Sequence, residues 1–358
     1  MTEENSRLAP PFRRSGRLRA NKITLAHGGG GKAMRDLIDD VFVAAFDNPA
    51  MGDLEDQARL DIFAHLAVGG RLAFTTDSFV VDPLEFPGGD IGKLAVWGTV
   101  NDLAVGGATP LWLSAAMIIE EGLPVETLRR IVGSMRDAAD QAGVAIVTGD
   151  TKVVGRGSAD KLFITTSGIG AIPPGIDLAA KHIRPGDRVL VNGRLGEHGA
   201  AILVARGDIA LESAIVSDCR PLNELVAILL KAAPSTRALR DATRGGIAAV
   251  LNEMALAAGV GMSLDEAALP MRSDVQGFCE ILGLDPLYLA NEGAFVAIVP
   301  EPEAQAALHV MRAHPAGENA AIIGAVTAER PGVVTMNTVL GGTRIVDMLI
   351  GEQLPRIC

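Results

Sequence analysis

PVETLRRIVGSMRDAADQAGVAIVTGDTK, residues 124–152, decides the fold class. Pro124 opens a helix that runs to about Ala142, and Gly143 stands where helices end. Val144 to Thr148 reads as a buried strand. Asp150 follows that strand and Gly149 directly, a place where ligands bind in α/β proteins. Helix and strand continue to alternate on either side of this unit.

Towards the N-terminus, ordered structure is expected from near Ile23. Glycines 28 to 31 form a loop, and Lys32 to Phe46 reads as a helix with Leu37, Ile38, Val41 and Phe42 on one face. Arg71 to Val81 reads as a strand ending in a polar cluster, Ile91 to Val105 as a helix, and Trp112 to Ile119 as a strand. Towards the C-terminus, Lys161 to Ile172 is a strand, and Pro173-Pro174 marks a break. A turn at Arg184-Pro185-Gly186-Asp187 precedes a strand from Arg188 to Val191. Helices are expected near 198–207, 222–233, 245–259 and 301–313, and strands near 286–299 and 319–326. The expectation is an α+β fold: an extension over 1–22, an N-terminal domain over 23–175, a C-terminal domain over 176–344 and a flexible tail over 345–358. At ~3.3 Å per residue the tail spans up to about 45 Å when extended.

Composition bounds the function. The 358 residues carry a net charge of −11, which lacks the basic footprint that nucleic acid requires. The exception is Arg13, Arg14, Arg17, Arg19 and Lys22, which no apolar segment follows, so the stretch is not a secretory signal. No run approaches the ~18 apolar residues of a membrane span. Three cysteines, Cys219, Cys279 and Cys358, form neither a disulfide framework nor a zinc pattern. The expected compartment is the cytoplasm.

His27-Gly-Gly-Gly-Gly-Lys32 invites a phosphate-loop reading but fails the pattern, with Ala26 in place of the first Gly and Ala33 in place of Ser or Thr. The stronger signal is a set of carboxylates in turns beside apolar elements: Glu55-Asp56, Asp77, Asp102, Asp150 and Asp241. Each alone reads as a cap or turn residue. Together they could hold magnesium against a nucleotide, since magnesium takes carboxylate and phosphate oxygens. Lys152 could meet a phosphate. Glu292, in Ala290-Asn291-Glu292-Gly293, is either a bulge facing water or a positioned base. The last residue, Cys358, is a thiol on an end that nothing beyond it restrains. Such a thiol can visit more than one site as a nucleophile.

In order along the chain, these motifs resemble those of the HypE family of hydrogenase maturation factors. The match lies in His27-Gly…Gly31-Lys32, Thr75-Thr-Asp-Ser-Phe-Val-Val-Asp-Pro83, Phe86-Pro-Gly-Gly-Asp-Ile-Gly-Lys93, Val100-Asn-Asp-Leu-Ala104, Thr148-Gly-Asp-Thr-Lys152, Asp241-Ala-Thr-Arg-Gly-Gly246, Ala290-Asn-Glu-Gly293 and the terminal Pro355-Arg-Ile-Cys358. It runs from about residue 23 to the end. The resemblance implies a two-domain fold like aminoimidazole ribonucleotide synthetase, with the N-terminal domains pairing into a homodimer. It implies an ATP-dependent dehydratase that converts an S-carbamoyl group on Cys358 into a thiocyanate, the source of the cyanide ligand of [NiFe]-hydrogenase.

The implied partners are a HypF-like carbamoyltransferase and a HypC–HypD iron-carrying complex. The implied cofactors are ATP and Mg2+. Carried over by motif, Asp56, Asp77, Asp102 and Asp150 are the metal residues. Lys93, Asn101, Gly149 and Asp241 are neighbours of the nucleotide. Glu292 is the candidate base and Lys152 its alternative. Cys219 and Cys279 are expected to be buried core thiols. Two other readings stay open. One is a small-molecule kinase similar to thiamine monophosphate kinase, which would ignore Cys358. The other is a non-catalytic carrier whose tail ferries a thiol-bound group. A selenophosphate synthetase would want a reactive cysteine near the glycine loop, where this chain has none.

Overall fold

A computed structural model describes residues 18–51, 57–207, 214–349 and 356–358. Asp56 lies outside the described residues, as do Arg13, Arg14 and Arg17.

Before the first sheet come α1 (Lys32–Leu37) and α2 (Ala44–Phe46), joined by wider π turns over Ile38–Val43. The first half then runs β1 (Arg71–Phe79), β2 (Glu85–Phe86), β3 (Gly89–Asp90), α3 (Ile91–Val105), β4 (Thr109–Glu120), α4 (Val125–Ala142), β5 (Ala145–Val154) and β6 (Leu162–Ile172). Its main sheet has the order β1-β6-β4-β5. Only β4 and β5 are parallel, because α4 carries the chain back between them.

Helix α4 is amphipathic. Leu128, Ile131, Val132 and Met135 recur at helical spacing and are almost wholly buried against the sheet. Each such side chain contributes ~1.5–3 kcal/mol. Helix α3 is instead apolar nearly all round, because the first sheet and α4 cover one side and the second half covers the other.

The second half runs β7 (Arg188–Val191), α5 (Glu197–Arg206), α6 (Asn223–Ala232), β8 (Ala238–Asp241), α7 (Gly246–Ala258), β9 (Gly261–Asp265), α8 (Ser273–Leu282), β10 (Phe295–Val299), α9 (Glu301–Arg312), β11 (Ala321–Thr327), β12 (Val334–Asn337) and β13 (Thr343–Val346). Its seven-stranded sheet has the order β13-β12-β9-β11-β7-β10-β8. One core packs α7 against one face, and a second packs α6 and α9 against the other.

Several elements differ from the sequence reading. The strand read as ending at Thr148 runs on to Val154, and Thr75–Ser78 lies inside β1, so Asp77 and Asp150 are strand residues rather than turn residues. The strand expected over 286–299 begins only at Phe295, because Asp285 and Pro286 start a single 3-10 turn instead. Strands β8, β9, β12 and β13 and helix α8 are additions to that reading. The tail expected from 345 starts as part of β13, where Val346 is fully buried.

Candidate active site

The site lies where the two halves meet. On β1, the Thr75 hydroxyl donates to an Asp102 carboxylate oxygen on α3 at 3.0 Å. Asp77 follows two residues later on the same inner face. Asp241 closes β8 opposite Phe295. The loop before β10 supplies Glu292, and its neighbours fix it. Asn291 donates to the carbonyls of Ala242 and Leu289 at 2.9 and 3.1 Å and accepts the Gly196 N–H at 2.7 Å. The Asp218 carboxylate accepts the N–H groups of Glu292 and Gly293, each at 3.0 Å. A Cβ on Gly293 would stand 1.9 Å from the Asp218 carbonyl oxygen, so only glycine fits there. Glu292 itself is buried, and its Oε1 has no hydrogen-bond partner among the described residues.

Burial and crowding set the electrostatics. Desolvation pushes the Glu292 carboxyl well above the usual range, and Asp218, Asp241, Asp77 and Asp102 push it further. Burial, and then the charge of Asp102, raises Asp241 to about 7. Burial raises Asp218 to about 6 against its two backbone donors. Burial also raises Asp102, and the neighbouring Asp77 charge adds to it.

The chain terminus enters this cluster. Residues 356–358 lie antiparallel to 80–82, with the Val80 N–H donating to the main-chain oxygen of Cys358 at 3.1 Å and the Asp82 N–H to the Arg356 carbonyl at 3.4 Å. Arg356 returns a bond from Nε to the Val80 carbonyl at 3.1 Å and pairs with Asp160. Ile357 is buried in the core of the first half. The Cys358 thiol is pushed far up by burial and then by Glu292, with Asp77 and Asp241 adding and Arg244 opposing. Cys358, Glu292, Asp77, Asp102 and Asp241 therefore form one group. A cavity of about 450 Å³ borders it at Asp102, Asp241 and Arg244.

Other residues chosen from sequence lie elsewhere. Asp150 and Lys152 form an exposed ion pair at 2.6 Å on the outer face of the first sheet. Asp77 lies on its inner face, three strands away in the order β1-β6-β4-β5, or ~14 Å at the usual strand spacing. Within one chain, Asp150 cannot share a metal ion with Asp77 and Asp102, and Lys152 is not beside Cys358. Asp150 instead edges a second cavity of about 450 Å³, lined by Met34, Phe42, Met117 and Thr148. Among the described residues, no three His, Cys, Asp or Glu side chains converge as a metal cage.

Gly149 is needed by the sheet, since a Cβ there would meet the Ala115 carbonyl at 2.2 Å. Asn101 uses its carboxamide on the Arg220 carbonyl and the Leu222 N–H, at 3.1 and 2.8 Å. Lys93 lies over the Trp97 ring, 5.7 Å from its centroid. It stands nine residues before Asp102, so ~13 Å along the helix axis separates it from that carboxylate. Cys219 and Cys279 are buried, as expected. Sequence reasoning missed Asp218, Arg244, His198, Ser217 and Arg206. None belongs to a periodic pattern, and their roles arise from contacts across the fold.

A family described as AIR synthase related protein, N-terminal domain, matches residues 55–172, and its C-terminal domain counterpart matches residues 184–337. The chain is 64% identical over 341 residues to a carbamoyl dehydratase HypE from Rhodobacter capsulatus, covering 95% of this chain and 99% of that one. A crystal structure of the hydrogenase maturation protein HypE in complex with ATP superposes with a TM-score of 0.88 at 50% identity, covering 93% of this chain and 99% of the other. A HypE–HypF complex structure superposes with a TM-score of 0.76 at 47% identity, covering 89% and 100%.

Proposed function

We propose a mechanism on the premise that supplies its substrate: this chain belongs to the HypE family of carbamoyl dehydratases. It uses ATP to dehydrate an S-carbamoyl group on its C-terminal cysteine to a thiocyanate, in the maturation of [NiFe]-hydrogenase. The observation that carries the assignment of residues is the docked terminus, which brings the Cys358 thiol within electrostatic reach of Glu292, whose Oε1 has no hydrogen-bond partner among the described residues.

The docked thiol is held neutral by its surroundings, so loading occurs on the undocked tail. There a HypF-like carbamoyltransferase presents the activated carbamoyl group, and the Cys358 thiolate attacks its carbonyl carbon, expelling the activating group as the C–S bond forms. The uncharged thioester then enters the carboxylate cleft without adding charge to it. The carbamoyl oxygen takes the terminal phosphoryl group of ATP with ADP leaving, and one nitrogen proton passes to a carboxylate of the cleft. Glu292 takes the second nitrogen proton as the C–O bond breaks, which leaves phosphate and an S-cyano group. Its raised basicity makes the ionised Glu292 a stronger proton acceptor than an exposed carboxylate. Docking also keeps water from the phosphorylated intermediate. A HypC–HypD iron-carrying complex receives the cyanide.

Asp77, Asp102 and Asp241 offer only oxygen donors, and burial first, then the neighbouring carboxylates, raise Asp102 and Asp241. That donor set fits Mg2+ held jointly with phosphate oxygens, and Asp77 and Asp102 would hold it. Bound there, the ion would neutralise charge on the transferring phosphoryl group. Asp150 and Lys152 join through a homodimer. Strands β1 and β5 are the two edges of the first sheet. Its outer face exposes Leu72, Phe74 and Ile118. Pairing β1 with β5 of a second copy at both edges would close the two sheets into a barrel that encloses that face, and would set the strand that carries Asp77 one strand from the partner's Asp150 and Lys152 instead of three. Among the described residues, no helix is long and apolar enough to cross a membrane, and the proposed site of action is the cytoplasm.

Intact mass after incubation with the carbamoyltransferase, its substrate and ATP tests the reading. Wild type gains a carbamoyl adduct that loses the mass of water only with ATP hydrolysis. Glu292→Gln keeps the adduct and slows its dehydration by ~10²-fold or more. Dehydration at the wild-type rate would remove Glu292 from the role of base.

A further inference from the structure

The cleft must accept the tail in three chemical states in turn: thiol, S-carbamoyl and S-cyano. A clamp on the Cys358 side chain would fail in at least two of them. The contacts that hold the terminus avoid that side chain, and most of them involve backbone carbonyls.

Two come from one helix. On α5, His198 Nε2 lies 2.8 Å from the Ile357 carbonyl oxygen. Two turns later, Arg206 donates from Nη2 to the Arg356 carbonyl at 2.8 Å and from Nε to the Asp82 carbonyl at 3.0 Å. Eight residues is close to two helical turns, so both side chains leave the same face. His198 is fully buried, and burial holds its imidazole neutral, at about 4. A neutral ring has one N–H. Its partner at Nδ1 is the Ser217 hydroxyl at 2.8 Å, and Ser217 Oγ also accepts the Cys219 N–H at 3.1 Å. With its hydroxyl proton directed to Nδ1, Ser217 leaves the ring's own N–H at Nε2, pointing at the tail. The Phe86 ring meets the imidazole edge-on, at 5.5 Å between centroids and 82° between planes.

We propose that His198, oriented by Ser217, is a positioning residue of the dehydration reaction: with Arg206 it forms an α5 clamp that holds the tail by its backbone carbonyls and so retains it whatever Cys358 carries. The proposal rests on the dehydratase reading, but its first measurement does not. Iodoacetamide alkylation of Cys358, followed by peptide mass after digestion, reports how often the tail leaves the cleft. Wild type reacts slowly, because the docked thiol is shielded.

His198→Ala raises the Cys358 alkylation rate roughly tenfold, the scale of one neutral hydrogen bond to a buried carbonyl. Its carbamoylation by the transferase stays at least as fast as in wild type, while ATP-dependent dehydration of the adduct falls by a similar factor. His198→Gln, whose side-chain amide can donate to the same carbonyl, restores both rates in part. A merely structural defect would slow loading as well as dehydration. If His198→Ala does not fold, Ser217→Ala takes its place, with alkylation expected to rise ~3-fold. Alkylation at the wild-type rate in a folded His198→Ala or Ser217→Ala protein overturns the clamp. Faster alkylation without any carbamoyl adduct on the wild type keeps the clamp and sinks the dehydratase reading.

Discussion

Asn101 and Asp102 are neighbours on α3, yet their side chains do unlike work. Asp102 faces the carboxylate cluster, whereas Asn101 turns into the seam between the halves and satisfies two backbone groups of the 220–222 segment. Their adjacency in Val100-Asn-Asp-Leu suggests one shared role, and the 100° turn between successive helical residues divides it. Asn101→Ala orphans a part-buried carbonyl and a buried N–H, at a cost of ~2 kcal/mol. Urea unfolding should show that loss while the KM for ATP stays within ~2-fold of wild type. A tenfold rise in KM at unchanged stability would return Asn101 to the nucleotide. Glu292 was legible as a carboxylate interrupting an apolar stretch. Its burial was not, because the group that holds its backbone, Asp218, lies 74 residues earlier in the chain.

The helix read most clearly from sequence is α4, and its end was read correctly at Gly143, which adopts φ 70° as a left-handed cap with its N–H on the Asp140 carbonyl. Nothing crowds that position. Gly143→Ala therefore tests backbone strain alone and should cost ~1 kcal/mol in equilibrium unfolding, with dehydration unchanged. The strands were read less well, for two reasons. Short strands such as β8, β9 and β12 have four or five residues, too few for alternation to show. In β5 the polar run Thr148 to Lys152 imitates a turn. It remains a strand because β4 pairs with it through Glu120 and Val154. That pairing also decides which face Asp150 takes, since one residue of register moves a side chain from one face of a sheet to the other.

For the molecule as a whole, the cleft stores unfavourable charge. Asp241 titrates at about 7 in the fold against 3.8 ordinarily. The folded state therefore binds more protons than the unfolded state between those values, and stability falls as pH rises through that window. Asp241→Asn removes this dependence. Relative to wild type, it should gain ~1–3 kcal/mol on going from pH 5 to pH 8, below the bound of about 4 kcal/mol that the full shift would give. Thermal unfolding at the two pH values checks the sign. An equal difference between variant and wild type at both would mean that Asp241 is already ionised at pH 5. The same charge favours a neutral cargo on the tail, which ties the stability cost to the reaction.

The sequence by itself determined the α+β class, the alternation of α4 with its flanking strands, the buried state of Cys219 and Cys279, and the motifs that mark the family. These rest on local periodicity, turn chemistry and residue types, which neighbouring residues express. Only the tertiary structure decided that Asp77, Asp102, Asp241 and Glu292 share a cleft while Asp150 and Lys152 lie on the opposite face of a sheet. It alone placed the terminus, with Ile357 in the core of the first half and its carbonyl on His198, 159 residues away. The reason is physical: strand register, helix rotation and chain docking are set by packing between segments far apart in sequence, and no short stretch carries that information.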